Sequence, residues 1–407
     1  MPTTIRTDDV REILALIPFQ LGFRPTESAV LVSLRGARSV VGLVARADLA
    51  DLAADADGGP AARGLVGHLL ADGARRALVV LYTEADLQAP TAPPAPRAGR
   101  AVEQQARAAV RALTQAAAEA LDSFETWVIG PRGYYALSCT DLECCPPGGR
   151  PVEDLQATRV CAQMVLEGVL VAPSREDLVR LPVATAAARK SARRSGDRWR
   201  ARGAAAGPGA AAHRWRRDGL SIWRDALATE LAARSAAGVA EGADVHPGPA
   251  RPVVFGARVT EPLEPSRTGR LLAALEDVLV RDAVLLSFVE GNERIEDRLV
   301  AGETGPAIGQ ALATITDPEL GRRPDPVRAA AARTVLEHLV AHAARGSHAP
   351  ALTLLAVLAW WEGDGARAGV LVDRALLADR DHRLAHLVDQ ALRSGMPPGW
   401  VRAECAS

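Results

Sequence analysis

Ala29-Val-Leu-Val-Ser-Leu34 and, forty-odd residues on, Arg76-Ala-Leu-Val-Val-Leu-Tyr82 decide the fold of this chain. Both are short, mostly apolar runs. The first is nearly continuous, as in a strand covered on both faces. The chain then turns at Arg35-Gly-Ala-Arg38 into a second strand, Val40 to Ala47. Arg76 to Tyr82 reads as a third. Thr126 to Ile129 and Tyr134 to Ser138 are two more, joined by Gly130-Pro-Arg-Gly133.

Helical patterns fill the gaps between these strands. Residues 8–18 place Val10, Ile13, Leu14 and Ile17 on one face, with Asp8 or Asp9 as cap and Pro18 as the expected end. A second helix runs from Ala61 to Ala71 with Pro60 in its first turn. An alanine-rich helix spans Ala101 to Leu121, after a proline-rich, solvated loop at 89–98. Alternation of strand and helix predicts an α+β or α/β domain over 8–150, a mixed sheet with helices packed on it.

From about 150 the pattern turns helical. Thr158 to Gly168 and Ser174 to Arg180 are helix candidates, the second with a capping serine. Residues 151–238 read as a helical segment with a basic arm, and 239–265, rich in Gly and Pro, as a linker or long loop. Residues 266–398 read as a helical domain. Within it Ala349 to Trp361 is apolar all round and expected to be buried. Ala368, Leu371, Val372, Ala375 and Leu376 form one stripe. Leu384, Leu387, Val388, Ala391 and Leu392 form the next, ended by Gly395 and Pro397-Pro398.

Three segments together resemble one family. They are Leu16-Ile-Pro-Phe-Gln-Leu-Gly-Phe-Arg-Pro-Thr-Glu-Ser-Ala-Val-Leu-Val-Ser-Leu34, Cys139-Thr-Asp-Leu-Glu-Cys-Cys-Pro-Pro-Gly148, and Ala359-Trp-Trp-Glu-Gly-Asp-Gly-Ala-Arg-Ala368 running into Ala375-Leu-Leu-Ala-Asp379. The chain is similar, from about residue 8 to Pro398, to the actinobacterial domain of unknown function 4192. That resemblance implies no activity and carries over no catalytic residue. The C-terminal helices also resemble a single tetratricopeptide unit, with Gly363, Ala368 and Ala375 at the spacing of its small residues and Arg380 where that pattern has a proline. One unit cannot build a concave groove, so a packed helical hairpin is expected.

Bulk composition excludes several classes. A chain of 407 residues needs two or three cores, and 48% apolar residues can build them. A net charge of −1 gives no global attraction to nucleic acid or anionic membrane. Lys190 is the sole lysine among 48 basic residues, as a GC-rich genome produces. No basic start precedes an apolar run, and no window of about 18 uncharged apolar residues spans a membrane. A cytoplasmic protein with five reduced cysteines is expected.

Four clusters carry candidate chemistry. Cys139, Cys144 and Cys145 can supply three thiolates of a zinc site, although adjacent cysteines strain to face one ion and a fourth ligand, such as Cys161, must fold back. A redox or disulfide role and a purely structural loop are the alternatives. Residues 189–217 hold Arg189, Lys190, Arg193, Arg194, Arg198, Arg200, Arg202, Arg214, Arg216 and Arg217 against Asp197 alone, interleaved with Trp199 and Trp215. Arg193, Arg194, Arg198, Trp199, Arg214 and Trp215 would contact nucleic acid or phosphate. A solvated arm or pairing with acidic surface is the alternative. His338 and His342 share a helix face at metal spacing, and a surface or interface pair fits them better. Asp48, Glu84 and Asp86 follow strands, and Tyr82 ends one, where a ligand cleft can form. GxGxxG after a strand, GxxxxGK[ST], GxSxG and HExxH are all absent from the sequence.

Three functional readings follow. The leading one is a non-enzymatic protein whose helical part serves interaction with a protein partner or self-association. The second is nucleic-acid or phosphate-ligand binding through 189–217. The third is an unidentified enzyme with a cleft in the sheet domain.

Overall fold

The structure, a computed structural model, describes residues 9–36, 40–54, 59–88, 97–240, 263–344 and 346–401. The expected linker 239–265 lies outside the described residues from 241 to 262, as does most of the proline-rich loop. The chain divides into two compact units between Asp177 and Leu178. Residues 151–177 belong with the sheet.

The first unit begins with α1 (Val10–Leu21), capped by the Asp9 carboxylate, which accepts the Arg11 N–H at 2.9 Å. Pro18 does not end this helix as expected. The helix runs on to Leu21 and stops at Gly22, whose φ of 76° is the left-handed stop glycine tolerates. The buried face Ile13, Leu14, Leu16 and Ile17 outweighs the one backbone bond Pro18 cannot make.

Among the described residues five strands follow: β1 (Ser28–Arg35), β2 (Val40–Asp48), β3 (Ala74–Tyr82), β4 (Ser123–Ile129) and β5 (Tyr134–Ala136). They pair in the order β2-β1-β3-β4-β5. Only β3 and β4 are parallel, joined by the crossover helix α4 (Arg97–Ala120); α2 (Leu49–Ala54) and α3 (Pro60–Ala71) precede β3. The sheet is therefore mixed, with helices on both faces. Residues of β1 alternate between two cores. Ala29 and Leu31 meet α2, α3 and α4, whereas Val30, Val32 and Leu34 meet α1. Ser33, fully buried, donates to the Asp72 carboxylate, which also accepts the Leu43 N–H at 2.8 Å.

Two short helices, α5 (Glu153–Gln156) and α6 (Arg159–Leu166), pack on α1. Glu12 accepts the N–H groups of Arg159 and Val160 at 3.1 and 2.8 Å, so a side chain of α1 satisfies the start of α6. The helix expected at 174–180 is only a 3₁₀ turn, Glu176–Leu178. Ser174 and Asp177 bond to one another instead, the local competition that disfavours helix.

The second unit is helical throughout the described residues: α7 (Ala186–Ala206), α8 (Ala210–Ala240), α9 (Pro265–Ala274), α10 (Val278–Leu286), α11 (Glu293–Val300), α12 (Pro306–Thr316), α13 (Pro326–His342), α14 (Ala349–Trp361), α15 (Gly365–Ala378) and α16 (Arg383–Arg393). Every residue of α14 is buried, as its sequence predicts. Gly363, at φ 91°, turns the chain, and Asp364 caps α15 by accepting the Arg367 N–H at 2.9 Å. Ala368 and Ala375 are fully buried in this hairpin. In α16 the inward face is Ala385 and Val388, while Leu387 is exposed, so the expected stripe is narrower than its spacing suggested. No described helix is long and apolar enough to cross a membrane.

Candidate functional site

Helix α7 carries the basic segment, and small residues decide which way it faces. Ala192, Ser195, Gly196 and Trp199 recur at helical spacing and are all buried. They lie against α9. A Cβ on Gly269 would overlap the Ala192 carbonyl, and one on Gly196 would stand 2.9 Å from the Gly269 oxygen. The two backbones thus cross at a distance only glycine allows.

The tryptophans are occupied in the same packing. Trp199 and Trp215 stack with centroids 5.9 Å apart, and the Trp215 indole donates to the Trp199 carbonyl at 3.0 Å. The guanidiniums of Arg202 and Arg270 lie over the Trp199 ring at 5.0 and 5.8 Å. These rings join α7 to α8. Arg200 pairs with Asp197 and Glu276 at 2.7 and 2.8 Å, and Arg216 with Asp277 at 2.8 Å.

The remaining cations are different. Arg189, Lys190, Arg193, Arg194, Arg198, Arg214 and Arg217 are exposed, and none forms an ion pair among the described residues. Arg189, Lys190 and Arg193 line one wall of a groove of about 520 Å³. The other wall is Val340, Ala341, Ala343 and Ala344 at the end of α13, with His348, and Leu181-Pro-Val183 closes it. The Ala184 N–H, donated to the Ala341 carbonyl at 3.1 Å, fixes that segment against α13. The arrangement holds three cations beside a wall of small apolar side chains and one histidine.

A second cluster lies in the sheet unit, after β5. The sulfurs of Cys139, Cys144 and Cys145 all lie within 4.8 Å of one another, and the cysteines are free thiols. Cys145 is buried under the sheet, and Cys139 and Cys144 are half-buried. Burial pushes the Cys145 thiol up to about 11, opposed by a hydrogen bond at the Ala136 backbone and reinforced by the two neighbouring thiols. Cys161, the expected fourth ligand, is not here. Its thiol donates to the Leu155 carbonyl at 3.3 Å, among residues packed on the α1 face of the sheet.

The histidine pair is internal rather than on the surface. His338 and His342 are both buried, with ring centroids 4.2 Å apart. His338 Nε2 bonds the Thr268 hydroxyl at 3.1 Å, and His342 Nδ1 bonds the His338 carbonyl at 2.9 Å. Burial, aided by His342, lowers His338 to about 4. The carboxylates after strands are also engaged. Asp48 pairs with Arg46 at 2.6 Å and Asp86 with Arg132, while Glu84 is exposed. Tyr82 has a fully buried hydroxyl, and burial raises its pKa.

Sequence reasoning missed the residues that aim these groups. The stripe Ala192, Ser195, Gly196 and Trp199 was legible at a spacing of three and four inside the basic run. Glu27 had no signal. Its carboxylate accepts the Thr83 hydroxyl at 3.1 Å and the Glu84 N–H at 2.7 Å across the sheet end.

No curated protein and no solved structure matches the chain. A family model described as Domain of unknown function (DUF4192) matches residues 11–302 and 323–399, covering both the thiol cluster and the groove. On that coverage of nearly the whole sequence, the chain belongs to the family of the domain of unknown function DUF4192.

Proposed function

We propose that this chain is a binding protein, and that its helical unit docks an acidic segment of a protein partner in the groove between α7 and α13. One observation carries the reading: Arg189, Lys190 and Arg193 stand unpaired, among the described residues, on one wall of a groove whose other wall presents Val340, Ala341, Ala343 and Ala344 beside His348. Some arginines of the same unit are paired within it, as Arg224 is with Glu296 and Asp297, and Arg367 with Glu337, and of the unpaired ones only Arg189 and Arg193, with Lys190, line the groove. A partner carboxylate or phosphate would meet the three cations. An adjacent apolar side chain would cover Val340 and Ala344. Nucleic acid is the weaker fit, because Trp199 and Trp215 are engaged inside the unit and supply no stacking platform.

Fluorescence anisotropy tests this with three labelled probes: a poly-glutamate peptide, a glutamate peptide interspersed with leucine, and single-stranded DNA of equal charge. The mixed peptide should bind best. Arg189→Glu/Lys190→Glu/Arg193→Glu should weaken it about tenfold or more, a loss of about 1.4 kcal/mol. Absence of peptide binding by the wild type, or preferential binding of the DNA, would refute the proposal.

A further inference from the structure

We propose that Cys139, Cys144 and Cys145 form a three-thiolate binding site for one zinc ion, with the fourth coordination position open to solvent. Their sulfurs already converge to within 4.8 Å of one another. A Zn–S bond of about 2.3 Å in tetrahedral geometry sets ligating sulfurs about 3.8 Å apart. The step between these spacings is about 1 Å, within the reach of side-chain rotation.

Adjacent cysteines ordinarily point apart, and the loop that carries them overcomes this. The Cys145 N–H donates to the Asp141 carbonyl at 2.7 Å, and the Asp141 carboxylate accepts the Glu143 N–H at 2.9 Å. The turn so formed bends Cys144 and Cys145 back toward Cys139. The base of the loop is closed by a two-bond bridge between Tyr134 and Arg150, both bonds 2.9 Å. Arg150 also donates its Nε to the Cys144 carbonyl at 2.7 Å. Gln88 holds the far side, accepting from the Gly148 N–H at 2.8 Å and donating to the Pro146 carbonyl at 3.3 Å.

The hydrogen bonds that hold the loop in this shape, and with it the three thiols near one another, are therefore already formed. On binding, each thiol gives its proton to solvent and a sulfur lone pair to the ion. Zinc with three thiolates carries a net charge of −1, and the Arg150 guanidinium bonded beside Cys144 offsets it. Cys145 anchors the site in the core below, and Cys139 and Cys144 leave its outer side accessible.

The test uses the full chain, reduced, stripped with a chelator, incubated with Zn(II) alone and desalted. Elemental analysis should find one zinc per chain, and thiol titration three fewer reactive cysteines than in the stripped protein. Cys139→Ser and Cys144→Ser, both half-buried positions whose folding circular dichroism can verify, should retain none. Cys161→Ser should retain one. Asp141→Ala should weaken binding about 10–100-fold, the usual cost of removing a group that orients ligands. The proposal is overturned if the reduced wild type retains no zinc, including the case in which the cluster instead holds a disulfide before reduction. It is equally overturned if Cys139→Ser and Cys144→Ser retain as much as wild type.

Discussion

Loop 137–149 and helix α7 both gather side chains of one chemical kind, in opposite ways. In the loop, backbone hydrogen bonds fold the chain back on itself, and three thiols from positions up to six apart converge within 4.8 Å. On α7 the regular rise of the helix spreads the cations over an outward face, and convergence comes only where the end of α13 supplies a facing wall. A bent loop suits a single small ion, whereas a straight helix suits an extended partner. The supports differ too. The loop depends on Arg150 and Gln88, and α7 depends on the glycines of its crossing with α9.

That contrast can be broken one support at a time. Gly269→Ala should have the largest effect. Its Cβ would meet the Ala192 backbone, which cannot rotate away, so α7 and α9 must separate at a cost of about 3 kcal/mol. Urea unfolding should show this loss, and peptide binding in the groove should fall with it. Unchanged stability would mean that the close crossing does not exist.

Gly149→Ala should come next. Gly149 sits at φ 84°, and its added Cβ would stand 2.8 Å from the Tyr134 nitrogen. Strain and overpacking together should cost about 1–3 kcal/mol. Zinc retention should fall while groove binding is unaffected, which separates the two sites. Loss of both together would contradict their independence.

A smaller effect should appear with pH. His338 titrates at about 4 in the folded chain, against about 6.5 when unfolded. The unfolded state therefore binds the proton more readily. The contribution is fully present above about pH 6.5 and is lost progressively as pH falls toward about 4. Between pH 7 and pH 5 the urea midpoint should drop more in the wild type than in His338→Gln. Parallel curves would contradict the assignment.

Most of the sheet was legible because its cues are local. The alternation of Val30 and Val32 against Ala29 and Leu31 belongs to one strand, and burial on both faces follows from it. The uniform apolarity of Ala349–Trp361 likewise forces burial. The errors lie where a distant residue decides. Helix α1 passes Pro18 because the sheet buries its face. Cys161 follows the α1 side of the sheet, while the other three thiols follow β5.

Both candidate sites were visible as composition, but not as geometry. Three clustered cysteines are plain in the sequence, whereas their convergence depends on Gln88 and Arg150, which spacing does not reveal. In the basic run the unpaired cations could not be told from the paired. Glu276 and Asp277, which engage Arg200 and Arg216, are far away in the chain.

The proposed docking requires Arg189, Lys190 and Arg193 to serve a partner rather than the fold. Arg189 and Arg193 are four apart on one helix, a like-charge spacing that costs about 0.2–0.5 kcal/mol. The most direct measurement is the urea-unfolding stability of Arg189→Ala/Lys190→Ala/Arg193→Ala. It should equal the wild type or exceed it by a few tenths of a kcal/mol. A loss of more than about 1 kcal/mol would show that these side chains hold the helical unit together, and would contradict their assignment to binding.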